Sequence, residues 1–369
     1  MKWEYGGKYG RSKSRRRWFL GGILVAIILI VGCIFFCFGF FDFMPVLKRP
    51  SLKSLHVLVG GGIKESSGSK FLMNTFVSIR AAGTSPDEPI QAAFDEMQRI
   101  ESLMSRHIPG SDVFRINQGA GGRPVKISDE TFHVIWESIK YADITGGAFD
   151  ISIGPLMDVW NFGATDPSVP EPEQINQARS LVGWELIELN SEDVTVRLPL
   201  HGMSIDLGGV AKGYAAQEGA RVLREHGISH ALIDVGGNIV TIGSRPDGEA
   251  WQIGIRDPRG KSIENTIGPT LYVSDCAIAT SGDYERFFIY AGKRYHHILH
   301  PETGMPADTV QSVTVIAKDS LYADILSTAV FVMGPDKGMD LIEALDGVSA
   351  MIVTGSGDTL FSAEFGEAS

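Results

Sequence analysis

An aspartate and a threonine stand four residues apart in the segment Tyr322-Ala323-Asp324-Ile325-Leu326-Ser327-Thr328. On a helix that spacing puts a carboxylate and a hydroxyl on one face. Two hard oxygens suit a hard cation such as Mg²⁺, whose shell is usually completed by water and phosphate. A helix whose Thr bonds its own backbone and whose Asp is solvated would show the same pair. A second segment is Ile205-Asp206-Leu207-Gly208-Gly209-Val210-Ala211-Lys212-Gly213-Tyr214. Its paired glycines let backbone approach a ligand closely. The helix N-terminus that follows offers N–H groups and a positive dipole to a phosphate, and Lys212 adds a point charge. A third segment, Tyr295 to Gly304, holds His296, His297 and His300. Strand alternation would set His296 and His300 on one face and His297 on the other. A histidine there can act as acid or base. A fourth runs from Gly146-Gly147-Ala148-Phe149-Asp150 to Gly154-Pro155, with Trp160 and Phe162 beyond. Each segment alone is also compatible with an ordinary turn.

Common nucleotide and metal signatures are missing. Gly60-Gly61-Gly62 lacks the G-x-x-x-x-G-K-[ST] register, and no G-x-G-x-x-G follows a strand. HExxH and CxxC are also absent.

The elements that must position these residues follow from periodicity. Phe71–Ala81 alternates as a strand. Pro86–His107 reads as an amphipathic helix, with Ile90, Ala93, Phe94, Met97, Ile100, Leu103 and Met104 at helical spacing. Ser128 caps a helix to about Asp143, which Gly146 and Gly147 end. Trp184–Leu200 reads as a hairpin turning at Asn190–Asp193, and Val210–His226 as a helix stopped by Gly227. Short strands are expected at 231–243, 251–256, 271–279, 285–290, 294–299 and 311–317. Helices at 320–333 and 336–345 and a hairpin at 348–362 complete the chain. Hairpins with scattered helices point to an α+β fold with a largely antiparallel sheet and packed helices.

Charge divides the 369 residues in two. Residues 1–50 hold nine Lys/Arg and two Asp/Glu, a net of +7; the whole chain is -11, so residues 51–369 carry -18 by subtraction. A body this acidic excludes a nucleic-acid surface. Arg11, Lys13 and Arg15 to Arg17 precede Trp18–Phe41, an apolar run with no charge. That run is long enough to span a bilayer, with the basic flank cytoplasmic and the body outside. Ile30-Val31-Gly32-Cys33 also reads as a lipobox, and a cut secretory signal is a third alternative. The expected organisation is a cytoplasmic tail at 1–17, a membrane or signal segment at 18–41, a linker at 42–69 and a catalytic domain at 70–369. Cys276 is the only cysteine of the body, so no internal disulfide forms there.

Taken in order, the segments resemble the ApbE family of FAD:protein FMN transferases, from about Phe71 to Gly338. The resemblance rests on Met73-Asn74-Thr75-Phe76, Gly146 to Asp150, Asp206 to Gly213, Asp234-Val235-Gly236-Gly237-Asn238, Ser281 to Arg286, His297 to Gly304, and Ala323-Asp324 with Thr328. It departs at His300, where the family usually has Asp or Asn. The resemblance implies FAD in a cleft lined by Met73, Ala148, Phe149, Asp150, Asp206, Lys212 and Ile298, with a looser match at His107. It implies Mg²⁺ held by Asp324, Thr328 and the backbone oxygen of Gly209. The implied reaction moves FMN from FAD to a threonine of an acceptor redox protein with a Ser/Thr-Gly-Ala-Thr-like site, releasing AMP. His297 is the expected base and Asp283 the second candidate. FAD hydrolysis to FMN and AMP, and tethered FAD binding without catalysis, are the alternatives. Asp324→Ala is expected to leave the fold intact.

Overall fold

The computed structural model describes residues 58–59, 62–262 and 264–366. Strand β1 (Leu58–Val59) leads into a long hairpin, β2 (Ile63–Leu72) and β3 (Thr75–Gly83). Met73 and Asn74 form its turn, both with positive φ. Helix α1 (Asp87–Met104) follows, then α2 (Asp112–Gln118), β4 (Val125–Lys126) and α3 (Asp129–Ile144). Next come α4 (Gly154–Trp160), α5 (Pro172–Arg179), β5 (Glu188–Asn190), β6 (Thr195–Arg197) and α6 (Ala211–Glu225). Strands β7 (His230–Val235), β8 (Asn238–Ile242), β9 (Trp251–Ile253), β10 (Leu271–Val273), β11 (Ala277–Gly282), β12 (Phe287–Tyr290), β13 (Lys293–His296) and β14 (Val310–Ala317) succeed one another. Helices α7 (Ser320–Met333) and α8 (Pro335–Glu343) and the hairpin β15 (Ser349–Thr354) and β16 (Thr359–Phe361) end the described chain.

Nine strands form one sheet in the order β1-β2-β3-β7-β8-β11-β14-β15-β16. Every neighbouring pair in it is antiparallel. Side-chain alternation divides its two faces. Ala231, Ile233, Ala277, Ala279, Val313, Val315, Ala350 and Ile352 join the main core with residues of α1, α6 and α7. Residues one step along, among them Ile278, Ile316, Met351 and Val353, face the other way and pack with Trp251, Ile253, Leu271 and Val273 of the β9–β10 hairpin. A third cluster joins Leu156, Trp160, Ile175, Phe288 and Leu299. It fixes α4 and α5 against the β12–β13 hairpin, which ends at His296, and the segment after it that holds His297 and His300. The α+β class and antiparallel sheet expected from the sequence are what the chain forms.

Local signals act as read. The Ser128 hydroxyl accepts the Thr131 N–H at 3.2 Å and caps α3. The stretch around residue 70 differs from expectation. Phe71–Ala81 is not one strand; it holds the end of β2, a turn and most of β3, with Phe71 paired to Phe76. Strand β2 also begins inside the segment read as linker. Its sequence, IKESSGSKFL, is mostly polar with few buried positions, so no apolar rhythm marks it. Among the described residues, no helix is long and apolar enough to cross a membrane. The apolar run Trp18–Phe41 and the tail before it lie outside the described residues.

Candidate active site

The closest approach of α6 and α7 builds the centre of the site. A Cβ at Gly213 would run into the Ser320 carbonyl oxygen and lie 2.6 Å from Asp324 Cβ. Only glycine lets the two backbones meet there. The Gly213 N–H then donates to Asp324 Oδ2 at 2.8 Å. Asp324 is buried, so a carboxylate of α7 caps the first turn of α6, where the dipole favours it. The sequence offered this helix N-terminus to a phosphate; the fold gives the Gly213 N–H to Asp324 instead. Asp324 Oδ1 faces Lys212 Nζ at 3.5 Å. With its amide turned to satisfy both neighbours, the buried Asn238 donates to Asp324 Oδ1 at 3.2 Å and accepts from Lys212 Nζ at 2.8 Å.

Thr328 lies one turn further along α7. A Cβ on Gly209 would lie 3.5 Å from Thr328 Oγ1 and 3.2 Å from the Phe149 ring. Gly209, Thr328 and Phe149 therefore share one wall. Ser281, on β11, reaches the Ser327 hydroxyl at 2.8 Å and the Thr328 hydroxyl at 3.2 Å. The sequence reading did not single out Ser281, Ser327 or Asn238 as site side chains. Their roles depend on β8 and β11 lying side by side beneath α7, a pairing that no local signal encodes.

The three histidines have three environments. His296 is buried and committed: Nε2 pairs with the Ala307 carbonyl at 2.7 Å, and Nδ1 accepts the Ile298 N–H at 3.3 Å. His300 Nδ1 accepts the Glu302 N–H at 3.3 Å. This is the i→i+2 turn bond an Asp or Asn side chain makes, so the family departure at this position keeps the turn. His297 is half-buried, yet its Nδ1 is sealed from solvent and has no hydrogen-bond partner among the described residues. Burial, then the charges of Arg286, His296 and Lys212, push His297 down to about 3. It is neutral near pH 7. The expected strand alternation stops at His296, where β13 ends.

Asp283, the second candidate base, is otherwise engaged. It is buried, and its two oxygens take Arg259 Nη1 at 2.7 Å and Nη2 at 2.6 Å. Arg294 Nε lies 4.0 Å away. A two-pronged guanidinium engages both oxygens of the carboxylate in a fixed geometry.

The remaining expected contacts are spread around this centre. Asp206 Oδ2 accepts from Arg106 at 3.1 Å, and Oδ1 accepts the Gly208 N–H at 2.8 Å, which shapes the glycine turn. Arg106 also holds Asp158 at 2.8 and 2.7 Å. The sequence did not single out Arg106; the imidazole of its neighbour His107 is exposed and bonds no described side chain. Asp150 is buried and accepts from the Ser152 N–H and hydroxyl, each at 2.7 Å, and from the Trp184 N–H at 3.2 Å. Burial raises its pKa despite those bonds. Its oxygens are committed inside the loop that presents half-buried Ala148 and buried Phe149. The Met73 N–H donates to Glu101 Oε1 at 2.9 Å, which ties the hairpin tip to α1. Ile298 is buried, and its carbonyl accepts the Ala307 N–H at 3.0 Å.

A buried carboxylate, a hydroxyl and two close glycines thus cluster with a lysine and a neutral histidine. The chain belongs to the ApbE family, whose model matches residues 73–352. A relative from Treponema pallidum (strain Nichols), named FAD:protein FMN transferase, is 33% identical over 79% of this chain and 85% of its own length. One of the same name from Klebsiella pneumoniae (strain 342) is 35% identical over 75% of this chain and 86% of its own. The crystal structure of the ApbE protein of Thermotoga maritima superposes with a TM-score of 0.76 at 34% identity, covering 82% of this chain and 98% of that one. The flavin transferase ApbE from Vibrio cholerae gives 0.73 at 29% identity over the same shares.

Proposed function

We propose that this chain is an FAD:protein FMN transferase that moves the FMN half of FAD, with Mg²⁺, onto a threonine hydroxyl of an acceptor redox protein. The observation that carries the metal-dependent reading is the meeting of Asp324, Thr328 and Gly209 beside Lys212. Among the described residues, no three His, Cys, Asp or Glu side chains group as a metal cluster. One carboxylate, one hydroxyl and a backbone carbonyl suit Mg²⁺, which keeps water and substrate phosphate as further ligands. Asp324 Oδ2 keeps a lone pair beyond the Gly213 N–H, and among the described residues Oδ1 meets only Lys212 at 3.5 Å and the Asn238 amide at 3.2 Å, single contacts that an ion can displace. When bound, Mg²⁺ supplies charge neutralisation to the diphosphate.

The chain's own residues do the rest. Lys212 offsets phosphate charge. Phe149 and Ile298 give the flavin side an apolar wall. In the transfer, the threonine oxygen bonds to the FMN-side phosphorus, the bond from that phosphorus to AMP breaks, and the threonine proton goes to the half-buried His297 ring. A histidine at about 3 is a weak base. Arg286 and Lys212 are among the charges that depress it, and a bound diphosphate counters both, which lifts His297 toward its working range.

The acceptor is expected to carry a Ser/Thr-Gly-Ala-Thr-like site. The basic tail and the run Trp18–Phe41 support tethering to the cell membrane with the body extracytoplasmic. The decisive assay mixes the full chain, FAD, Mg²⁺ and a candidate acceptor. It should give acceptor bearing one FMN mass and an equal amount of AMP. AMP produced equally well without acceptor would make the chain an FAD hydrolase. FAD bound with no AMP in any mixture would reduce it to a carrier.

A further inference from the structure

We infer that Ser281 is a positioning residue that turns the Thr328 hydroxyl so that its lone pairs, not its proton, face the cation. The inference rests on the reading of Asp324 and Thr328 as cation ligands. It follows from counting protons along a chain of hydroxyls. Ser327 is fully buried, and its Oγ lies 2.9 Å from the Asp324 carbonyl oxygen. A carbonyl only accepts, so the Ser327 proton is committed to it. The 2.8 Å contact between Ser281 and Ser327 must then be donated by Ser281. Ser281 has no second proton, so the 3.2 Å contact with Thr328 is donated by Thr328.

One direction of donation therefore runs from Thr328 to Ser281, on to Ser327, and ends on the backbone of α7. Its end point lies at Asp324, the residue that supplies the carboxylate. A threonine hydroxyl has one proton and two acceptor lone pairs. With the proton held on Ser281, both lone pairs are left for the side shared with Gly209. Without Ser281, the hydroxyl is free to rotate its proton toward the Asp324 carboxylate or a neighbouring helix carbonyl. It would then oppose a cation. Partners behind metal ligands commonly change affinity by about 10–100-fold when removed.

Mn²⁺ is a suitable probe, because it binds oxygen sites like those of Mg²⁺ and its free form is read directly by electron paramagnetic resonance. The full-length chain in detergent, with FAD present, is titrated with Mn²⁺. Ser281→Ala should weaken Mn²⁺ uptake about tenfold or more. Its melting temperature without cation should match the parent. Ser281→Thr keeps a hydroxyl and should bind within about threefold of the parent, a conservative rescue that a packing role would not give. Asp324→Asn is the control for the underlying reading. If Asp324→Asn leaves Mn²⁺ uptake unchanged, the ligand assignment itself fails and the inference goes with it. If Asp324→Asn abolishes uptake while Ser281→Ala binds like the parent, the hydroxyl chain is wrong and the ligand assignment stands. Loss of rescue in Ser281→Thr with a normal melting temperature would also overturn the positioning role.

Discussion

Asp283 and Asp324 are both nearly sealed from solvent, and both face cations. Asp283 is gripped on two oxygens by Arg259, with Arg294 close behind. Asp324 has one oxygen on the Gly213 N–H and the other shared by Lys212 at 3.5 Å and the Asn238 amide at 3.2 Å. Arginine's fork saturates a carboxylate in a fixed geometry, whereas a lysine at that distance leaves the oxygen open to a stronger cation. Two buried aspartates thus have opposite uses. Asp283 holds together the loop before β12, and Asp324 keeps a valence for ligand. Burial and a nearby positive charge do not separate an active carboxylate from a structural one. The kind of partner does: a rigid arginine fork in one case, single contacts that a cation can displace in the other.

The sharpest way to break this comparison is Asp324→Asn. Asparagine keeps an acceptor for the Gly213 N–H but loses the charge. Transfer measured by in-gel flavin fluorescence should fall by about a hundredfold or more while the melting temperature barely moves. Asp324→Ala is the poorer variant. The expectation that it leaves the fold intact does not survive the burial of Asp324, because the Gly213 N–H would be left unpaired. Replacing His297 with Gln should slow transfer by about a hundredfold, with FAD affinity by fluorescence quenching within a few-fold. Equal losses in both would make His297 a binding residue.

Gly213→Ala tests the closeness of α6 and α7. Its added methyl meets Ser320 and Asp324, and denaturant melts should show a loss of about 1–3 kcal/mol. Asp283→Ala should cost about 2 kcal/mol, because it removes charge-assisted bonds. The folded fraction should still transfer FMN. Severe loss of transfer without loss of stability would reverse the roles given to the two aspartates. The smallest effect is on acid stability. The ordinary histidine value is about 6.5, and His297 sits at about 3 in the folded chain. The stability owed to its neutral ring is complete above about pH 6.5 and is lost as the pH falls toward 3. His297→Gln should flatten that part of the stability–pH curve.

Much of this was legible in the chain itself. Helices α1, α3, α6 and α7 follow from apolar spacing and from caps such as Ser128. The Asp324–Thr328 pair follows from one helical turn. Strand β2 was not legible, because a largely polar strand lacks the rhythm that marks a buried one. The tie from Arg106 to Asp206 was not legible either, because its partners Asp158 and Asp206 lie 52 and 100 residues away.

By itself, the sequence determined the long helices and most of the sheet strands, the antiparallel class, the family and the residues able to do chemistry. These are set by local spacing, and the chain carries local spacing in full. Only the tertiary structure decided which aspartate stays open, which histidine nitrogen lacks a partner and which serine stands behind Thr328. Each of those is a hydrogen-bond question. Its answer depends on groups from distant strands and helices that meet once the sheet order is fixed.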